Sequence, residues 1–307
     1  MPRTTWIVTA AAIALTACGV APASHQLNAA ARTPSASRPA VVPRPSPSPA
    51  TARATAPAPA VAASAATGPP RLPHSPGGGP GRFPATASGV LDGKVVLVDP
   101  GHNGGNFAAA PVINRLIWNG RESETCDTTG AETDSGYTEA QFNWNVARYL
   151  TADLRAAGAT VVLTRTSNTG VGPCVTERAA LGNKAHANAA VSIHADGGPP
   201  GGRGFAILEP VPDGINDAIV GRSARLGTDL RKTFAAGTGE PVSSYDGVDG
   251  IQPRDDLGGI NLSTVPKVFI ECANMRDAAD AALVTSPAWQ ARAARAIAAG
   301  LTRFLTR

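Results

Sequence analysis

The feature of this sequence that most restricts its fold is the alternation, after residue 88, of short apolar segments with amphipathic segments of helical period. Apolar segments bounded by Gly, Pro or polar residues predict buried strands, and they lie at 94–98, 159–165, 190–195, 204–208 and 267–272, with a weaker one at 259–262. Apolar residues spaced near the helical period predict helices at 138–157, 175–188, 215–234 and 289–305. This alternation predicts an α/β fold: a single domain with a twisted, mostly parallel central sheet flanked by helices on both faces. Sites in such sheets gather at the carboxyl ends of the strands.

The residues before 88 differ in composition from the rest. Residues 24–87 consist almost wholly of Ala, Pro, Ser, Thr, Gly and Arg. Such a segment cannot bury enough apolar surface to offset the entropy lost on ordering, so we interpret it as a disordered Pro/Ala-rich tether. Its prolines extend it into a spacer. Residues 88–307 are then the folded domain.

Residues 1–23 have the pattern of an export signal. Arg3 supplies the positive start, and the apolar run 6–15 is too short for a membrane-spanning helix. The segment 15–18, Leu-Thr-Ala-Cys, resembles a bacterial lipobox, which predicts lipidation of Cys18. A competing A-x-A cleavage site at 21–23 would release a soluble product instead. Either cleavage predicts an exported protein of the periplasm or cell envelope, and membrane contact only through the lipid anchor.

Export also favours a disulfide. Cys126 and Cys174 both lie in polar loop sequence, whereas Cys272 follows an apolar run. We therefore predict a Cys126–Cys174 disulfide and a buried Cys272 thiol. The alternative is that Cys126 and Cys174 are both free thiols.

The net charge of the chain is +4, but the basic residues are scattered and no basic patch interleaved with aromatic residues is present. We therefore expect no nucleic-acid partner.

Four ionisable residues are expected at one edge of the predicted sheet. His102 follows the first strand, His194 ends the third, Glu271 ends the late strand, and Glu139 opens the first long helix. Two histidines and a carboxylate leave an open position on Zn²⁺, as catalytic sites require, and Glu271 is placed to serve as the base. Each residue taken alone has a simpler interpretation, such as a loop histidine bonded to backbone or a glutamate that complements a helix dipole.

Four motifs in the same order resemble the zinc-dependent N-acetylmuramoyl-L-alanine amidase family of the amidase-3 type. They are Asp-Pro-Gly-His at 99–102, Glu139 with its long helix and the later Thr-Arg at 164–165, Arg178 and Asn183 before Ser-Ile-His-Ala at 192–195, and Glu271 followed by Asn274 and Asp277. The resemblance implies that His102, Glu139 and His194 bind Zn²⁺ and that Glu271 is the catalytic base. It also implies that Arg254 lies near the substrate peptide, and that the substrate is peptidoglycan or muramyl-peptide fragments. The chain departs from the family after Glu271, where Cys272 and Ala273 replace a usual Gly-Phe pair.

The segment 107–125 reads as an insertion between the first two ligands. Asn119-Gly120 after an apolar run is a hairpin signal, and with the Cys126–Cys174 bridge at its far side this segment is a candidate to flank or gate the cleft. Two other functions remain open: a non-catalytic wall-binding or regulatory module on the same fold, and a different zinc hydrolase. The latter class often carries H-E-x-x-H, which is absent from this sequence. We expect a monomer.

Overall fold

The computed structural model describes residues 89–307. The predicted export signal 1–23 with Cys18 and the predicted tether 24–87 lie outside the described residues. Among residues 89–307, none of the helices has the length and apolar character needed to cross a bilayer.

The described residues form eight strands and seven α-helices. The strands are β1 (Val95–Pro100), β2 (Leu116–Trp118), β3 (Ser123–Thr125), β4 (Thr160–Leu163), β5 (Ala189–Asp196), β6 (Ala206–Pro210), β7 (Ile251–Arg254) and β8 (Lys267–Asn274). The helices are α1 (Ala110–Ile113), α2 (Glu139–Ala156), α3 (Val175–Lys184), α4 (Asp217–Thr238), α5 (Gly258–Asn261), α6 (Ala278–Val284) and α7 (Pro287–Leu305). A 3-10 turn occupies Asn106–Ala108.

Six strands form the central sheet in the order β4-β1-β5-β8-β6-β7. All neighbours pair in parallel except β6 and β8, which are antiparallel. The expected α/β domain with a mostly parallel sheet is therefore confirmed. Strands β2 and β3 pair separately as an antiparallel hairpin, in agreement with the turn signal at Asn119-Gly120.

Helices cover both faces of the sheet because its strands are apolar on both sides. On one face, Val96 and Val98 of β1 belong to the large core that also contains residues of α2, α4 and α7. On the other face, Leu97 packs with Leu181 of α3, while Phe269 of β8 packs with Ile260 of α5. Two apolar layers thus hold the sheet, and the ends of its strands are left for polar side chains.

The helix ends follow local signals. The Thr138 side chain accepts a hydrogen bond from the Gln141 N–H at the start of α2, and Ser286 does the same for Trp289 at the start of α7, where Pro287 occupies the first turn. Gly158 follows α2 with a φ of 97°, a conformation that favours glycine. These caps fix where α2 begins, and therefore where Glu139 lies.

Two predictions about elements were wrong. The weak strand expected at 259–262 is the short helix α5, and the sixth strand of the sheet is β7 instead. Strand β7 contains Pro253, and a proline in a sequence segment argues against a central strand. Proline is tolerated here because β7 lies at the edge of the sheet. The helix expected to continue to residue 188 ends at Lys184, because the chain turns at His186 with a φ of 47°.

Candidate metal centre and active site

Three neighbouring parallel strands deliver polar side chains to one edge of the sheet. Strands β1, β5 and β8 lie side by side, and His194 of β5 is paired in register with Glu271 of β8. His102 lies two residues beyond the end of β1. Glu139 is the first residue of α2, which packs against β1 and β5. The four residues selected from the sequence therefore meet at the carboxyl ends of these strands.

His102, Glu139 and His194 converge on a common point. Glu139 Oε1 lies 2.9 Å from Nδ1 of His194, and Glu139 Oε2 lies 3.3 Å from Nε2 of His102. One ligand atom from each residue lies within 4.8 Å of the others, and the two imidazole centroids are 5.0 Å apart. The donor set and spacing fit a single divalent cation, and three protein ligands leave a position for water or substrate on Zn²⁺.

Two glycines provide the space that these three candidate ligands occupy. A Cβ on Gly101 would lie 2.2 Å from Cε1 of His194, and a Cβ on Gly130 would lie 2.7 Å from Cδ2 of His102 and 2.8 Å from Oε2 of Glu139. Side chains at these positions would therefore displace ligands. The backbone of His102 itself adopts a φ of 55°, an uncommon conformation for a residue other than glycine.

The electrostatics of the cluster favour a positive charge between its members. Burial would raise the pKa of Glu139, but the neighbouring imidazoles of His102 and His194 hold it well below its usual range. Burial would lower the pKa of His102, but Glu139 and Asp127 outweigh it and raise this pKa to about 10. The remaining hydrogen bonds to Glu139 come from the Asn143 amide and the N–H groups of Ala131 and Ala195. Such a buried carboxylate between imidazoles is suited to a cation.

Glu271 lines the same cleft and lies outside the group of three ligands. Its Oε2 atom is buried and has no hydrogen-bond partner among the described residues. Burial, together with the negative charges of Glu139 and Asp196, raises the pKa of Glu271 well above its usual range. An unpartnered carboxyl oxygen beside the three ligands is the arrangement that a proton-transfer group needs.

A buried network of charged and polar side chains centred on Asp99 lies next to the site. Most of its contacts were not predicted from the sequence. Asp99 accepts hydrogen bonds from Thr164, Arg178, Ser192 and Lys267, at 2.7, 2.8, 2.6 and 3.0 Å. These partners hold the pKa of Asp99 well below its usual range although burial alone would raise it. The available signal was Lys267, since a lysine that opens an apolar strand needs a buried counter-charge.

Asp127 was also missed by sequence reasoning. Its Oδ1 atom lies 3.1 Å from Nδ1 of His102, and its Oδ2 atom accepts hydrogen bonds from Asn103 at 2.9 Å and from Arg178 at 3.3 Å. Burial would raise the pKa of Asp127, but the contacts with His102 and Arg178 lower it. Asp127 sits in a loop with no periodic pattern, so nothing in its local sequence indicates this contact.

The four residues open into a cleft of about 390 Å³. Arg254, at the end of β7, lines this cleft, and its guanidinium forms a two-pronged pair with Asp256 at 2.7 Å for both contacts. The structure therefore brings Arg254 to the same cleft as Glu271, with one side of its guanidinium already engaged.

The hairpin of the 107–125 segment also reaches the cleft. Glu124 and Thr125 of β3 line it, and Glu124 accepts a hydrogen bond from the Gly258 N–H at 3.0 Å. At the far end of this segment, Cys126 and Cys174 form a disulfide, and Cys272 is a buried free thiol. The hairpin thus flanks the cleft and is joined covalently to the N-cap of α3.

The chain resembles characterised cell-wall amidases in both sequence and structure. The Amidase_3 family, described as N-acetylmuramoyl-L-alanine amidase, matches residues 96–303. The chain is 40% identical over 216 residues to the N-acetylmuramoyl-L-alanine amidase Rv3717 of Mycobacterium tuberculosis, an alignment that covers 70% of this chain and 88% of that relative.

Two solved structures with similar folds come from other mycobacteria. The N-acetylmuramyl-L-alanine amidase Ami1 of Mycobacterium smegmatis superposes with a TM-score of 0.67 at 41% identity, covering 70% of this chain and 98% of that one. The apo form of Ami1 from Mycobacterium abscessus gives a TM-score of 0.66 at 37% identity, with coverage of 70% and 100%.

Proposed function

Since the chain belongs to the N-acetylmuramoyl-L-alanine amidase family and is therefore a peptidoglycan hydrolase, we propose that it cleaves the amide bond between N-acetylmuramic acid and L-alanine with a Zn²⁺ ion held by His102, Glu139 and His194. The observation that carries the metal proposal is the convergence of these three ligand atoms within 4.8 Å. The orphaned Oε2 atom of Glu271 beside them supports the same proposal.

Zn²⁺ held by His102, Glu139 and His194 would act as a Lewis acid and would activate water for attack at neutral pH. Glu271 Oε2 accepts the proton of the attacking water and then donates it to the nitrogen of the leaving L-alanine. Water and amide thereby give a carboxylic acid and a free amine, with the proton carried between them by one side chain. The Oε2 atom of Glu271 is buried and has no hydrogen-bond partner among the described residues, so it remains available to the substrate.

Arg254 is the candidate substrate-binding residue. Its guanidinium lines the cleft and donates two hydrogen bonds to Asp256. A guanidinium has five N–H donors in all. We propose that the remaining donors contact a carboxylate of the stem peptide. The cleft measures about 390 Å³, and peptidoglycan or its muramyl-peptide fragments are the proposed substrate.

Cell-wall amidases act on peptidoglycan, so this enzyme works outside the cytoplasm. We propose that residues 1–23 direct its export, that Cys18 is lipidated, that residues 24–87 tether the catalytic domain 88–307 to the envelope, and that the enzyme is monomeric. Mass spectrometry of the mature N-terminus tests the lipid anchor. A diacylated Cys18 supports it, and an unmodified terminus after residue 23 supports the soluble product.

We also propose that the 107–125 segment forms one wall of the substrate cleft. Its residues Glu124 and Thr125 already line that cleft. Deletion of residues 109–121 is expected to change both the rate and the binding of muramyl fragments. Unchanged values for both would remove this segment from the site.

The decisive experiment is mass spectrometry of muramyl dipeptide incubated with the protein, with and without a chelator. Chelator-sensitive release of the free dipeptide identifies both the bond and the need for a metal. Glu271→Gln is expected to abolish release while one equivalent of zinc remains bound, and Glu132→Gln, at an exposed position, serves as the matched control. Binding of the substrate without release by the wild-type protein would instead indicate a non-catalytic wall-binding module.

A further inference from the structure

Asp127 is a buried carboxylate that contacts His102, a proposed metal ligand, on the side away from the other proposed ligands. It lies 25 residues after His102 in sequence, yet its Oδ1 atom is 3.1 Å from the Nδ1 atom of His102. The other nitrogen of the same ring, Nε2, faces Oε2 of Glu139 at 3.3 Å. One edge of the imidazole therefore points into the ligand cluster and the opposite edge points to Asp127.

We infer that Asp127 is a positioning residue, which holds the imidazole of His102 with its Nδ1–H directed away from the metal and its Nε2 lone pair directed toward it. This inference rests on the proposed zinc function. An ionised carboxylate can only accept hydrogen bonds, so the contact with Asp127 requires Nδ1 to carry the proton. The Thr128 hydroxyl, at 3.3 Å from the same nitrogen, can donate or accept and so does not select the tautomer.

Asp127 is itself held in one orientation. Its Oδ2 atom accepts hydrogen bonds from Asn103 and Arg178, and its Oδ1 atom accepts one from the Thr128 N–H at 2.8 Å. The Arg178 guanidinium also donates to the backbone carbonyl of His102 at 3.0 Å. One guanidinium thus fixes both the Asp127 carboxylate and the unusual backbone turn at His102.

The two histidines are supported in different ways. The ring of His194 stacks on Phe269, with centroids 5.0 Å apart and the planes inclined by 5°. The ring of His102 meets His194 edge to face and takes its orientation from the hydrogen bond to Asp127. Removal of Asp127 is therefore expected to act on one ligand alone. Mutation of a residue that hydrogen-bonds to a metal ligand in this way typically lowers metal affinity or activity by ~10–100-fold.

The test measures zinc affinity of the apo-protein by competition with a chromophoric chelator. We expect Asp127→Ala to weaken zinc binding by ~10–100-fold, and Asp127→Asn to weaken it less, because the amide oxygen can still accept the Nδ1–H bond without the charge. Asp229→Asn is the matched control, since Asp229 is also buried and paired with arginines, Arg303 at 2.7 Å and Arg307 at 3.2 Å, but belongs to α4. This control is expected to lower the melting temperature and to leave zinc affinity within twofold.

The outcomes separate the inference from the proposed function. If the wild-type protein binds no zinc, the proposed function fails and the inference falls with it. If the wild-type protein binds zinc and both Asp127 variants bind it within twofold, only the inference is overturned. Should Asp127→Ala not fold, long-range ¹H–¹⁵N correlation spectra of zinc-loaded wild-type protein decide the matter. A protonated Nδ1 on His102 supports the inference, and an unprotonated or metal-bound Nδ1 overturns it.

Discussion

Replacement of Gly101 by alanine is expected to disable the proposed metal site without unfolding the protein. The new Cβ would lie 2.2, 2.4 and 2.7 Å from Cε1, Nε2 and Nδ1 of His194. Because carbon atoms approach comfortably only to about 3.5 Å, the ring must retreat by roughly 1.3 Å. Phe269 stacks against the same ring, which restricts where the ring can go. A displacement of about 1 Å at a catalytic group can lower the rate by ~10²-fold, equivalent to about 2.7 kcal/mol of transition-state stabilisation.

Two measurements check this expectation. Zinc content and affinity are measured by elemental analysis and chelator competition, and kcat/KM is measured by release of dipeptide from muramyl dipeptide. Gly170→Ala is the matched control, because Gly170 also belongs to a loop beside the site, yet a Cβ there meets no atom within 4 Å. If Gly101→Ala keeps zinc affinity and kcat/KM within twofold of the wild-type values, the ring of His194 does not lie against Gly101 in solution.

Three further predictions concern stability. Gly221→Ala is expected to raise the free energy of unfolding by ~0.5–1 kcal/mol, because Gly221 is exposed inside α4 and the new methyl group would have no atom within 4 Å. Gly227→Ala is expected to lack that gain, because its methyl group would lie 2.1 Å from Oε1 of Glu209. Thermal unfolding compares the two variants with the wild type. Burial raises the pKa of Glu209 from 4.5 to about 7, so the native state binds more protons than the unfolded state in this range, and the free energy of unfolding falls as the pH rises through it. The melting temperature of Glu209→Gln is therefore expected to rise relative to that of the wild type from pH 4.5 to pH 8. An equal difference between the two proteins at both pH values would contradict this. Replacement of both Cys126 and Cys174 by serine removes a disulfide that spans 48 residues, and is expected to lower the free energy of unfolding by ~4 kcal/mol in the chain-entropy model. Urea unfolding with linear extrapolation measures this loss. An unchanged free energy of unfolding on substitution or on reduction would mean that the disulfide does not form in solution.

The strand segments of the central sheet could be predicted because most of them are buried on both faces. Such strands read as continuous apolar runs, and 94–98, 190–195 and 267–272 are runs of this kind. The histidines and Glu271 lie within or just after these runs. Once the strands are parallel neighbours, these side chains must meet at one edge. The cluster could therefore be predicted from the sequence.

The elements that escaped prediction depend on contacts between distant parts of the chain. Pro253 argues against a strand in sequence, and only its place at the sheet edge makes β7 possible. The segment at 259–262 has apolar residues and predicts a weak strand, but the chain at Gly258–Asn261 forms a short helix that packs against Phe269 of β8. A Cβ on Gly259 would lie 2.7 Å from Cζ of that ring, so the close approach of this helix is a tertiary property that local sequence does not express.

The buried carboxylates near the cleft divide into two kinds, and this division explains their roles. Asp99 and Asp127 each pair with Arg178, at 2.8 and 3.3 Å, so their charges are balanced within the protein. Glu139 contacts imidazoles, an amide and backbone N–H groups, and Glu271 keeps one oxygen unpartnered among the described residues. A carboxylate paired with a permanently charged guanidinium orients its neighbours, whereas a buried carboxylate with no Arg or Lys partner among the described residues favours the arrival of positive charge. The first kind therefore holds the geometry of the site, and in the proposed mechanism the second kind would hold the metal ion and carry the proton.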